Sequence, residues 1–206
     1  MSQPSIAFWY DFASNYSWLA ARRIAALAAA RGVAVAWEPF LLGPIFASQG
    51  WDTSPFNIYP AKGAHAWRDI ERQAAALGLP LVRPAPFPQN SLLAARVGLA
   101  VGPAGRPAFS EALFREEFER GRSISDTAVL AEVLAGLGHD AGAVLAAAAS
   151  ELVKTALRQQ GERAKRLGLF GAPTFVTADG EVFWGNDRLE AALAWAMDGP
   201  LPGLAR

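Results

Sequence analysis

Two serines, Ser14 and Ser17, stand in the run Ala13-Ser14-Asn15-Tyr16-Ser17, where a strand-like stretch, SIAFWYDF over residues 5 to 12, gives way to a helical pattern. The spacing x-S-x-x-S sits where a redox protein of the same layout would carry C-x-x-C. At a helix start the first backbone N–H groups have no partner inside the helix, and the dipole favours negative charge. Serine is a preferred N-cap, and capping alone accounts for many serines at such places. A hydroxyl at this turn can also donate a hydrogen bond to a thiolate brought by a ligand.

Three other segments carry candidate chemistry. Pro173, in GAPTF, follows a helical stretch and opens a strand-like one, an ordinary position for proline. With a cis bond after Ala172, the Ala172 backbone would face the Ser14 turn, where an extended peptide could pair with it. Asn186 and Asp187, in WGNDRLE, precede the last helical pattern; capping explains them, and Asp187 with free N–H groups could also take the ammonium and carboxylate of an amino-acid ligand. In NIYPAKGAHAWRDIERQ the mixed charges read as a solvated helix face. Lys62 is its odd member, because a cation in the first turn opposes the dipole and calls for an anion, such as an acidic ligand. Tyr16, His65 and Trp67 are candidates for lining a substrate pocket.

Composition narrows the chemistry. Nineteen basic and nineteen acidic residues cancel without a charged block, so neither nucleic acid nor an anionic membrane is an expected partner. With no cysteine, the chain has no disulfide, thiolate metal site or thiol nucleophile of its own, and a disulfide oxidoreductase of the C-x-x-C type is excluded. Two histidines far apart, His65 and His139, do not suggest a zinc site. The start of the chain has no basic head and apolar core of a leader peptide, and a cytoplasmic location is expected.

These residues must be positioned by a particular order of elements. After the strand at 5 to 12, apolar spacing predicts a helix from Tyr16 to Arg31 capped by Gly32, then a strand at 33 to 37: one β-α-β unit. From about Pro44 to Gly161 the pattern is helical, with candidates near 62 to 77, 91 to 100, 107 to 120, 127 to 136, 141 to 148 and 151 to 167. Two short strands, PTFVT and EVFW, then flank the hairpin signal Asp179-Gly180, and a helix follows Asn186-Asp187. The expected fold is α/β: a thioredoxin-like domain (β-α-β … β-β-α) of residues 1–43 plus 162–206, with a large all-helical insertion over 44–161.

Five stretches in this order, DFASNYSWLA, PFNIYPAKGAHAWRDIER, FPQNSLLAAR, LGLFGAPTFV and FWGNDRL, resemble the 2-hydroxychromene-2-carboxylate isomerase family, related to kappa-class glutathione transferases and DsbA-like in fold. The resemblance runs over nearly the whole chain. It implies that Ser14 stabilises the thiolate of bound glutathione, that Ala172 and Pro173 hold its cysteinyl backbone, and that Asn186 and Asp187 hold its γ-glutamyl end. Asn57 and Lys62 match polar positions facing the cleft in relatives, and the resemblance implies that they join the glutathione-binding residues. The implied activity is a glutathione-dependent cis-trans isomerisation of an aromatic pyruvate-type acid in aromatic compound catabolism, by a homodimer. A transferase or peroxidase of kappa-class type and a non-catalytic peptide-binding protein are the alternatives. Two residues depart from the family pattern: Asn15 stands where proline commonly follows the serine, and His65 where tyrosine is frequent.

Overall fold

The computed structural model describes residues 3–199. The ends of the expected thioredoxin-like unit, residues 1–2 and 200–206, lie outside the described residues. Its sheet is built from β1 (Ser5–Tyr10), β2 (Ala34–Pro39), β3 (Thr174–Thr177) and β4 (Val182–Trp184), in the order β2-β1-β3-β4. β1 and β2 are parallel, as the crossover through α1 (Asn15–Ala29) requires, while β3 runs antiparallel to both β1 and β4. Between β2 and β3 come α2 (Leu42–Ser48), α3 (Pro55–Ile58), α4 (Pro60–Ala76), α5 (Leu92–Ala100), α6 (Gly102–Phe118), α7 (Thr127–Gly136), α8 (Ala141–Ala149) and α9 (Glu151–Arg166); α10 (Leu189–Asp198) closes the chain after a 3-10 turn at Asn186–Arg188. Among the described residues no helix is long and apolar enough to cross a membrane.

The strand period of two divides β1 between two cores. Ile6, Phe8 and Tyr10 join the larger one with Trp18 and Ile24 of α1, Phe114 of α6 and Leu193 of α10. Trp9 faces the other way, into a smaller core with Phe40, Ile45, Ala164 and Leu169, and Arg163 of α9 lies over its ring at 5.0 Å. Rings interlock around β1: Phe8 stacks on Phe175 at 5.6 Å, and Phe12 meets Phe114 at 5.3 Å. This aromatic packing carries the helices of the middle segment directly onto the sheet, and the end of β1 becomes a fixed platform for the turn that follows.

Two helices were not expected. α2 and α3 lie ahead of the first expected helix at 62 to 77, in a stretch that carries Gly43, Pro44, Gly50 and Pro55. Proline costs nothing in a first turn, where N–H groups have no helical partner, so Pro55 and Pro60 begin helices here. For the same reason α6 starts at Gly102, with Pro103 in its first turn, five residues before the expected boundary at 107.

Candidate active site

Ser14 caps α1 with an extended backbone (φ −94°, ψ 114°), and its Oγ accepts the Ser17 N–H at 3.1 Å. The same hydroxyl donates to the carbonyl of Ala172 at 3.1 Å, and the Ala172–Pro173 bond is cis. The turn before α1 and the loop before β3 are thus joined by the one proton Ser14 owns. Asp11 holds the turn from below. Its carbonyl accepts the Ser14 N–H at 3.0 Å, and its carboxylate accepts the N–H groups of Ala13 at 3.0 Å and Leu42 at 2.7 Å. Burial pushes the Asp11 carboxyl above the usual carboxylate range, opposed by the hydrogen bonds from Leu42, Ser91 and Ala13.

A cavity of about 1250 Å³ opens over this turn. Ser14, Asn15, Tyr16, Ala172 and Pro173 form its floor; Lys62, His65 and Asp69 of α4 and Asn186 to Arg188 form its polar side. Phe46, Trp51, Phe56, Phe87, Phe170 and Trp184 supply the apolar wall. Phe170 and Trp184 meet at 4.8 Å, both about half exposed, and the Trp184 indole lies so close over Gly171 that a Cβ there would collide with it.

A chain of hydrogen bonds braces the polar side. The Tyr16 hydroxyl donates to Asp69 Oδ2 at 2.9 Å, and Gln73 Nε2 donates to the same oxygen at 2.6 Å. Asn186 Nδ2 donates to Gln73 Oε1 at 2.7 Å, Arg23 Nη1 donates to Asn186 Oδ1 at 3.0 Å, and Arg23 also pairs with Glu190. Burial, then the hydrogen bond to Asp69 and the charges of Asp69 and Asp187, push the Tyr16 phenol pKa up, so this hydroxyl stays a neutral donor. Among the described residues no carboxylate lies within ion-pair distance of Lys62, although it stands in the first turn of α4.

Of the residues singled out in the sequence, Ser14, Ala172, Pro173, Asn186, Asp187, Lys62, Tyr16 and His65 all line the one cavity. Asn57 and Trp67 do not. Asn57 is exposed and its side chain donates to Thr53 Oγ1 at 3.0 Å. Trp67 is 5% exposed, turned into the core against Phe87 at 4.6 Å with Arg83 above it. Asn186 lines the cavity with a carboxamide already bonded to protein groups at both ends. Sequence reasoning passed over Asp11, Gln73, Phe170 and Trp184. Phe170 directly precedes GAPTF and Trp184 opens WGNDR, and only the pairing of β3 with β4 brings them together.

A family model described as DSBA-like thioredoxin domain matches residues 5–194. The chain belongs to this family. This DSBA-like thioredoxin protein is 29% identical over 195 residues to a 2-hydroxychromene-2-carboxylate isomerase of Sphingobium xenophagum, covering 94% of this chain and 98% of that one. It is 27% identical over 215 residues to glutathione S-transferase kappa 1 of Homo sapiens, covering 96% and 94%. The solved structure of a 2-hydroxychromene-2-carboxylate isomerase superposes with a TM-score of 0.81 at 28% identity, over 90% of each chain. A probable DsbA oxidoreductase from Streptomyces coelicolor shares the fold, with a TM-score of 0.72 at 23% identity over 98% of this chain and 93% of that one.

Proposed function

We propose that this DSBA-like thioredoxin protein is a glutathione-dependent cis-trans isomerase acting on 2-hydroxychromene-2-carboxylate or a similar aromatic pyruvate-type acid. The observation that carries the reading is Ser14: a hydroxyl at a helix N-terminus, beside the Ala172–Pro173 loop, in a chain that has no cysteine. The relatives named isomerase and glutathione transferase support it.

The residues present fit glutathione. Among the described residues the Ala172 N–H has no partner, leaving it and the adjoining carbonyl to pair with a peptide backbone. Asp187, 69% exposed, offers a carboxylate to an ammonium, and buried Asn186 fixes that segment through Gln73 and Arg23. When bound, glutathione supplies the sulfur nucleophile that adds to the unsaturated acid and leaves again after bond rotation, with no net redox change.

What the protein adds is acidity and orientation. A thiol of pKa about 8.5 is mostly protonated at neutral pH, and lowering it by about two units takes roughly 2.7 kcal/mol. One hydroxyl donating to an anion contributes on the order of 1.5 to 3 kcal/mol. A helix N-terminus adds about 0.3 to 1 kcal/mol. To donate to sulfur, Ser14 turns its proton from the Ala172 carbonyl, which a ligand N–H then satisfies. Lys62, at the start of α4 with no ion-pair partner among the described residues, and neighbouring His65 receive the substrate carboxylate, and the aromatic wall receives its ring. The 27% identity to a kappa-class transferase gives the second reading, in which the same thiolate site conjugates or reduces its substrate.

The two part on the fate of the thiol. With 2-hydroxychromene-2-carboxylate and a small amount of glutathione, an isomerase interconverts many equivalents of acid while the total free thiol stays constant. Loss of thiol in step with product identifies the transferase, and conversion that needs no thiol contradicts both.

A further inference from the structure

Asn15 is the first residue of α1, and it lines the cavity while only 1% exposed. Its Oδ1 accepts the N–H of Tyr16 at 2.9 Å, which fixes the carboxamide so that Nδ2 is its other end. That Nδ2 is buried with no hydrogen-bond partner among the described residues, and the Asn15 backbone N–H has none either. A donor left unpaired in the interior is costly, and such groups call for a ligand or a role in chemistry. At the same turn, Ser14 has already committed its single proton to the Ala172 carbonyl. Ser17 Oγ is also without a partner among the described residues, but Ser17 does not line the cavity, so the free donors of this turn that belong to a lining residue are those of Asn15.

We infer that Asn15 is a second catalytic anion donor, giving hydrogen bonds from Nδ2 and its backbone N–H to the thiolate of a bound cysteinyl peptide. The inference rests on the glutathione reading above. When the ligand S–H bond breaks, the proton passes to water and the electron pair stays on sulfur, at the end of the α1 dipole and within a set of donors fixed before the ligand arrives. Ser14 has to turn its proton before it can act, whereas the Asn15 carboxamide is held by the Tyr16 N–H with its own donor uncommitted.

The test is an ultraviolet titration of glutathione bound to the wild type, Ser14→Ala, Asn15→Ala and Asn15→Asp. Asn15→Ala is expected to raise the bound thiol pKa by about one unit, a tenfold loss of acidity. Asn15→Asp, of the same shape but anionic beside sulfur, raises it further. A thiol pKa unchanged in both Asn15 variants, while Ser14→Ala raises it, overturns the role of Asn15 and leaves the glutathione site standing. An unshifted thiol in the wild type removes the glutathione reading and this inference together. A second measurement needs no variant: in asparagine-labelled wild type with glutathione, the Asn15 side-chain amide resonances shift with the midpoint of the thiol titration. Resonances that stay still through that midpoint overturn the inference.

Discussion

The carboxamide of Asn186 donates from Nδ2 to Gln73 Oε1 at 2.7 Å, across 113 positions of sequence, while its Oδ1 accepts from Arg23 at 3.0 Å. Both ends of a buried amide are spent on holding the 3-10 turn against α1 and α4. Asn186→Ala is therefore expected to lower unfolding stability by about 1 to 3 kcal/mol, since it leaves Gln73 Oε1 without its donor and takes from Arg23 Nη1 its side-chain acceptor. Asp187→Ala, at an exposed carboxylate, leaves stability within about 0.5 kcal/mol and weakens glutathione binding. Urea unfolding and calorimetric titration of the two variants check this, and the opposite division of effects contradicts it.

Gly171 has no room for a side chain, because the Trp184 indole occupies the space a Cβ would take. Trp184 is 51% exposed and free to swing outward, so Gly171→Ala should displace the ring and not unfold the protein. The expected outcome is a shift in tryptophan emission and a rise of roughly tenfold in the KM of an aromatic acid, as for other losses of apolar contact. The thiol pKa of bound glutathione stays unchanged. An unaltered KM would separate the Phe170 and Trp184 pair from substrate binding.

Lys62 stands in the first turn of α4, where a cation opposes the helix dipole. Lys62→Ala is expected to leave stability equal or raise it by about 0.3 to 1 kcal/mol, while raising KM for an acidic substrate. Added salt should raise KM in the wild type and much less in the variant. Thermal melts and the salt dependence of KM check both parts; a KM indifferent to the substitution contradicts the assigned role.

Glu117 is fully buried in α6, and among the described residues neither carboxylate oxygen has a hydrogen-bond partner. Burial holds its carboxyl well above the ordinary 4.5, and the charge of Asp11 pushes the same way. The folded state then binds this proton more tightly than the unfolded chain, so stability falls as pH rises from 4.5 through the raised value. Glu117→Gln should be more stable than the wild type by on the order of 1 to 3 kcal/mol near neutrality. The advantage should shrink toward zero below the ordinary value, and unfolding of both proteins across pH measures it. An advantage that does not vary with pH contradicts the assignment.

Much of this architecture is written in local pattern. The helical spacing after Ser14, the Asp179-Gly180 hairpin and the final helix after Asp187 follow from neighbours in sequence, and all three are present. α2 and α3 were hidden because prolines in a first turn look the same in sequence as prolines that break a helix. The gathering of Ser14, Pro173 and Asp187 around one cavity follows from the order of strands, which the sequence pattern supports, while Lys62 is brought there by α4. The direction of individual side chains does not. Trp67 and His65 share α4 two positions apart, so helical spacing puts them on opposite faces, but that Trp67 takes the core and His65 the cleft is set by the packing of Trp67 against Phe87. The commitment of Asn186 to Gln73 and Arg23 is likewise a contact between distant segments, with no local signal.

The central claim is that Ser14 makes the thiol of a bound peptide acidic, and the direct measurement is the pKa of glutathione bound to the wild type and to Ser14→Ala, read by thiolate absorbance. The account predicts a fall of about two units in the wild type from the free value near 8.5, with most of that fall lost in the variant. Glutathione that fails to bind, or that binds with the same thiol pKa in both proteins, contradicts it.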